Sequence, residues 1–379
     1  MVVRRWLIGG AAAALALGYA VATRAPGAPR PAGVALAGAE RIAPYEPRFA
    51  RARPVVAVIA ENLGTEVSDY LVPYGVLAES GAAEVVAVAT EPGPIRLMPA
   101  LRVDPQETIA SFDARFPEGA DYVVVPAVHR QDDPALLGWV AAQAGKGASV
   151  VGVCDGAWVV AGVGLLRGRR ATGHWYSFEA LERRYPETRW TRDSRYVVDG
   201  PIVTTTGVTA SIPVSLALVE AIAGGERAEA VARDLGATDW SAAHRSDDFR
   251  LGARAVATAA GNLLAFWSHE EVGIPIDPGV DEVALALVAD AYSRTYRSQA
   301  LAVSTADGRV RSRHGLSLIP DRVGGAPGAM LPPLGARGAV PALDGALTGI
   351  AERYGPASAA FVALQIEYPL DPNREGDRQ

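Results

Sequence analysis

The run Val55-Val56-Ala57-Val58-Ile59-Ala60, set between Pro54 and Asn62, has no polar residue in it. A strand with one wet face alternates apolar and polar residues, whereas a strand buried on both faces does not alternate. This run therefore belongs inside a parallel sheet covered by helices on both sides. A helical pattern follows from about Glu66 to Ser80, with Gly81 as its C-cap, and then a second buried strand from Glu84 to Thr90. Pro92-Gly93-Pro94 makes a turn, and Arg96 to Val103 completes a hairpin. The alternation continues with strands at Asp121–Pro126, Ser149–Val153 and within Val197–Thr206. Helices are expected at Pro134–Gly145, Ala157–Leu166 and Ile212–Ala223. Strand and helix in regular alternation specify an α/β fold with a doubly wound, mostly parallel sheet.

The chain has 379 residues, enough for two domains, and its 49% apolar content supplies a sizeable core. A net charge of −6 argues against a dedicated nucleic-acid binder. Arg4 and Arg5 precede an uncharged, mostly apolar run from Trp6 to about Thr23, which reads as a signal or anchor segment over residues 1–23. Residues 24–53, rich in Pro, Ala and Arg, read as a linker. The expectation is a cell-envelope protein, anchored by or cleaved from that segment, with its folded part on the outer side of the membrane.

An internal repeat is visible at one constant spacing. Thr90, Gly93 and Arg96 match Thr305, Gly308 and Arg311, Leu101 matches Leu316, and Gly64 matches Gly279. The strand Val55–Glu61 falls on Glu270–Ile276, and Ala357–Ile366 resembles the strand at Ala120–Val128. Residues 54–240 are expected as one domain and 250–379 as a degenerate partial repeat of it. The position matching Asp69 is Ala284, so the second copy is expected to be catalytically empty. Such a half-copy implies a monomer with an internal pseudo-dimer, or a homodimer.

The single cysteine excludes an intramolecular disulfide. Cys154 follows a buried strand and precedes a helix, with Gly152 and Gly156 on either side in the spacing Gly-x-Cys-x-Gly. That is the form of a nucleophile elbow, whose tight turn brings backbone close to the nucleophile and so needs glycine. Unpaired N–H groups at a helix N-terminus lower a thiol pKa. Asp155 beside the thiolate works in the opposite direction.

Gly152-Val-Cys-Asp-Gly-Ala157, followed by Ala171-Thr-Gly-His-Trp175, resembles the ThiJ/PfpI superfamily, the class I glutamine amidotransferase-like fold. The nearest branch in pattern is that of isocyanide hydratases and the sensor-like domains of GlxA-type regulators. Asp199-Gly-Pro-Ile-Val-Thr-Thr-Thr-Gly207 and the helix Ser215–Ile222 extend the resemblance, which covers Pro54 to Gly236. It implies a flavodoxin-like sheet and a catalytic Cys154. It also implies Asp69, four residues before Pro73, as the carboxylate partner of the sulfur, with Glu61 and Glu66 as alternatives. His174 would lie near the pocket, orienting Cys154 or packing against Trp175, with Thr172 a weaker candidate. Backbone N–H groups of Asp155 and of the loop Ala127-Val128 would stabilise an oxyanion.

The chain departs from that family pattern at three points: Pro126-Ala127-Val128 replaces a Gly-Gly pair, Asp155 stands in place of Thr, and Pro213 in place of Asp. No helix-turn-helix pattern follows Asp248, no paired metal-ligand spacing is present, and no cofactor is expected. The functional expectation is a cysteine-dependent hydratase or hydrolase acting on a small electrophile. The alternatives are a non-catalytic small-molecule sensor and a redox-responsive protein.

Overall fold

The computed structural model describes residues 40–325, 328–335 and 338–369. The main sheet has seven strands: β1 (Val55–Ala60), β2 (Glu84–Ala89), β3 (Glu107–Thr108), β4 (Tyr122–Val125), β5 (Ser149–Gly152), β6 (Tyr196–Asp199) and β7 (Ile202–Thr205), in the order β6-β7-β5-β4-β1-β2-β3. All neighbours are parallel except β6 and β7, which form an antiparallel pair at one edge. Along β1, Val56, Val58 and Ala60 enter one hydrophobic core, and Val55, Ala57 and Ile59 enter another on the opposite face. This two-sided burial is why the sequence of β1 does not alternate.

Helix α1 (Val67–Ser80) leaves β1, starting at Glu66, whose carboxylate accepts the Asp69 N–H, and ending at Gly81 in the left-handed conformation. Further helices are α2 (Pro134–Gly145), α3 (Gly156–Gly162) and α4 (Ser211–Ala223). The strand order reverses between β1 and β4. In open α/β sheets, ligands bind at the carboxyl ends of the strands beside such a reversal.

A second sheet of four strands is formed by β8 (Glu270–Pro275), β9 (Ser298–Ser304), β10 (Arg322–Val323) and β11 (Ala329–Met330), all parallel, in the order β10-β9-β8-β11. Between β8 and β9 lies helix α5 (Glu282–Ser293). It packs on α1, and residues of both sheets join one continuous core. Twelve of the 14 residues of α1 are buried, because the helix is covered by its own sheet and α4 on one side and by α5 on the other. The hairpin Ile95–Met98/Arg102–Asp104 pairs antiparallel, through Arg102–Asp104, with Ser317–Leu318 of a second hairpin, so the two units also share a ribbon.

Two expectations change. Ala357–Ile366 is not a strand: α7 (Pro356–Gln365) follows α6 (Ala339–Tyr354), and the strand beside β8 is β11. The segment is rich in alanine and opens with Pro356 at the first helical position, and both features favour helix. Between the two units, helices run over Gly225–Leu235 and Ala253–Leu264. The expectation of a membrane-anchored envelope protein is also corrected. Among the described residues no helix is long and apolar enough to cross a membrane, and Trp6–Thr23 lies outside the described residues.

The contact between the two units is tight at Gly75, where an added Cβ would lie 2.4 Å from Val283 Cγ2. Gly75→Ala is expected to lower unfolding stability by about 1–3 kcal/mol. Gly138→Ala, on a helix with open space around it, should be neutral or slightly stabilising. Paired denaturant titrations check both.

Candidate functional site: the Cys154 elbow

Cys154 sits between β5 and α3 with φ of 55°, a left-handed conformation that a side chain other than glycine adopts only under constraint. The constraint is visible on both sides. A Cβ on Gly156 would lie 2.0 Å from the Val125 carbonyl oxygen, and one on Gly152 would lie 2.9 Å from Val160 Cγ2. The Cys154 N–H donates to Thr205 Oγ1 at 2.9 Å, tying the turn to β7. The thiol itself is buried, at 5% exposure for the residue.

Asp69 reaches the elbow from the first turn of α1 and is fully buried. Its Oδ2 accepts the Ala127 N–H at 3.1 Å, while Oδ1 has no hydrogen-bond partner. Burial pushes the Asp69 carboxyl up to about 8, opposed by the Ala127 N–H and by Arg294. The Ala127 N–H is thereby committed to Asp69 and is not a free oxyanion donor, and Val128 bridges back to Thr65. Without the expected Gly-Gly pair, the loop after β4 serves to hold α1.

Burial also pushes the Cys154 thiol well above its ordinary value, and the nearby carboxylates of Asp69, Asp155, Glu66 and Glu367 push in the same direction. This corrects the expectation of a helix-lowered thiol pKa. The helix that follows is only seven residues long, and its N-terminal field is outweighed by desolvation and four acidic neighbours. Asp155 accepts from Ser177 Oγ at 2.9 Å, and burial raises its carboxyl too, against the opposing influence of His174.

His174 is turned away from a general-base role. Its Nε2 lies 3.0 Å from the Gln365 carbonyl, which can only accept, so Nε2 carries the proton. Nδ1 faces the Tyr176 N–H at 3.4 Å, and the ring lies against Trp175. Thr172 has its N–H on Thr204 and a buried hydroxyl without a partner. Glu61 accepts the Leu63 N–H in its own turn and faces Arg130, not the thiol. Glu66 caps α1. The elbow therefore gathers Cys154, Asp69 and Asp155, while His174 packs beside them.

Three further groups come from sequence that offered no signal for them. Arg294 pairs with Glu66 at 2.8 Å and Asp290 at 2.6 Å. Glu367 accepts the Trp175 N–H at 2.9 Å and pairs with His244 at 3.2 Å. Burial would raise the Glu367 carboxyl, but the two histidines and that N–H hold it below its ordinary value. Gly207 makes room for this carboxylate, since a Cβ there would lie 2.8 Å from Glu367 Cγ.

Residues 54–221 match the DJ-1/PfpI family. This part of the chain is a DJ-1/PfpI domain. Isonitrile hydratase of Pseudomonas putida is 29% identical over 165 residues, which cover 42% of this chain and 68% of the hydratase. The HTH-type transcriptional regulator CdhR of Pseudomonas aeruginosa is 40% identical over 86 residues, 23% of this chain, and the chain spans only 25% of the regulator's length. Among solved structures, oxidized DJ-1 of Toxoplasma gondii is 22% identical with a TM-score of 0.43, covering 49% of this chain and all of that one. A ThiJ/PfpI family protein from Pseudomonas syringae is also 22% identical with a TM-score of 0.43, over 48% of this chain and 74% of that one. The matched residues end within α4, and α5 to α7 lie beyond them.

A buried carboxyl with a raised pKa binds its proton more tightly in the folded state. Its contribution is therefore full below the unfolded value near 4 and is lost as pH rises toward about 8. Asp69→Asn removes this dependence. Its melting temperature relative to the parent should climb between pH 5 and 8, by at most about 1.4 kcal/mol per pH unit in stability terms. Thermal melts across that range measure it.

Proposed function

We propose that the DJ-1/PfpI domain is a cysteine-dependent hydratase or hydrolase for a small, uncharged electrophile of the isonitrile or carbonyl class. The observation that carries this reading is a strained elbow thiol with, among its buried acidic neighbours, the Asp69 carboxyl, whose second oxygen has no hydrogen-bond partner. The thiol is neutral at rest, so addition requires a base. Asp69, with a carboxyl near 8, is matched to take a proton and return it close to neutral pH. With an isonitrile, the sulfur bonds to the terminal carbon while the thiol proton passes through Asp69 to that carbon, giving a thioimidate. Water then adds to the same carbon, the carbon–sulfur bond breaks, and the sulfur recovers a proton as an N-substituted formamide leaves. The acidic surroundings of the thiol disfavour anionic substrates and leave a neutral one unopposed.

A second reading is a non-catalytic sensor of small molecules. It is favoured by the raised thiol pKa, by the committed Ala127 N–H and by the similarity to a transcriptional regulator. In either reading we take residues 54–240 as the functional domain and 250–379 as a degenerate half-copy of it.

The test is formamide production from a small aryl isonitrile. Turnover should rise with pH through about 8, as Asp69 ionises. Cys154→Ser should abolish it, and Asp69→Asn should lower it by about 10²–10⁴-fold. Saturable binding without turnover would overturn the enzyme reading in favour of the sensor.

A further inference from the structure

The two α/β units meet through equivalent residues. Val55 and Glu270, Arg102 and Ser317, and Glu107 and Arg322, which begin corresponding strands, are each 215 residues apart. The order β10-β9-β8-β11 repeats β3-β2-β1-β4. At the same spacing Ser68 corresponds to Val283 and Gly75 to Asp290. The observed contacts are Ser68 with Asp290, at 3.3 Å, and Gly75 with Val283. Val103 pairs with Leu318, its own equivalent, in an antiparallel ladder. Contacts in which residue i meets the copy of j, and j meets the copy of i, are those of a two-fold interface, here within one chain.

The two sides of this interface differ in their charged groups. Glu66 and Arg294 form an ion pair, but their equivalents, Asp281 and Glu79, are both acidic and are bridged by Arg313 instead. Arg294 ends α5 with its side chain about one-fifth exposed, and both of its carboxylate partners are buried. Glu66 is also the cap that accepts the Asp69 N–H at 2.6 Å. A short chain of bonds therefore runs from the second unit to the backbone of the residue that bears the carboxyl: Asp290, Arg294, Glu66 and the Asp69 N–H.

We propose that Arg294 is a positioning residue for the Cys154 site, lent by the C-terminal unit in the place a partner subunit would occupy, to hold Glu66 and set the protonation of Asp69. This rests on the reading of Asp69 as the proton carrier. The groups facing Asp69 are Glu66 on its own helix, Asp290 and Arg294 from α5, Cys154 and Asp155 from the elbow, and the Ala127 N–H. Arg294 is the cation among them. Burial works against its own charge, but Asp290 and Glu66 hold it more firmly protonated than an exposed arginine. Without it, three buried carboxyls would share a site with no counter-ion, and Asp69 would keep its proton to higher pH. The pairing also fixes the first turn of α1, from which Asp69 projects.

The deciding experiment is a carboxyl carbon NMR titration of Asp69 in the full chain. It uses Cys154→Ser to separate the result from thiol chemistry, with the signal assigned by Asp69→Asn. Adding Arg294→Met should raise the Asp69 midpoint by about one pH unit or more, and Arg294→Lys should restore most of the difference. If Arg294→Met does not fold, Arg294→Met with Asp290→Leu replaces the buried pair by apolar groups. The midpoint should still rise, because Arg294 acts on Asp69 more strongly than Asp290 does. In the parent carrying Cys154, iodoacetamide alkylation at pH 8 should slow about tenfold in Arg294→Met. An unchanged Asp69 midpoint in a folded variant, even with a lower melting temperature, overturns the proposal and leaves Arg294 a packing residue. A parent thiol that resists alkylation at every pH sinks the reactive-cysteine reading, and the NMR midpoint still decides the role of Arg294.

Discussion

Desolvation of charge is the constraint around which this molecule is arranged. Asp69, Glu66 and Asp290 are buried together, with the thiol of Cys154 close by. A buried carboxyl without a counter-ion or a donor is unfavourable by several kcal/mol and responds by keeping its proton. The raised carboxyls of Asp69 and Asp155 and the raised thiol are that response. Arg294 and the Ala127 N–H are the local groups that oppose it at Asp69. The chemistry available to the site follows from this balance. The site holds a buried thiol and a buried carboxyl that both keep their protons, not a standing thiolate.

The backbone supplies the rest of the arrangement. The strand order reverses at β1 and β4, α1 carries Asp69 in its first turn, and the turn after β5 carries Cys154. The Val125 carbonyl lies so close to Gly156 that no other residue fits there without shifting the sheet or the elbow. The loop after β4 has turned its one well-placed donor inward. What a Gly-Gly pair would offer a substrate, Ala127 gives to Asp69.

Much of this was legible in the residues. The unalternating run at Val55 and the glycines around Cys154 mark the sheet and the elbow, because each reflects a local requirement of sterics or burial, whereas Asp69 was reached only through the family resemblance. The direction of the thiol pKa was not legible. It depends on Glu66 and Glu367, which lie 88 residues before and 213 residues after Cys154 in the chain. Arg294, His244 and Glu367 carry no pattern of their own, since an ion pair closed by tertiary packing leaves no periodicity behind. At Ala357–Ile366 the apparent match to a strand failed for a local reason, as alanine after a proline opens a helix.

The two-fold contact between α1 and α5 has a consequence for how such a site evolves. In an assembly of two identical chains, every contact across the axis appears twice, so an acid that faces another acid on one side faces it again on the other. Covalent fusion lifts that rule. Here Arg294 stands 215 residues after Glu79, so the two sides of the contact carry opposite charges at that position. The tether also fixes the neighbour's effective concentration, so this contact does not loosen as the protein is diluted. A chain built this way can specialise one half for chemistry and the other for holding it, with no demand that either do both.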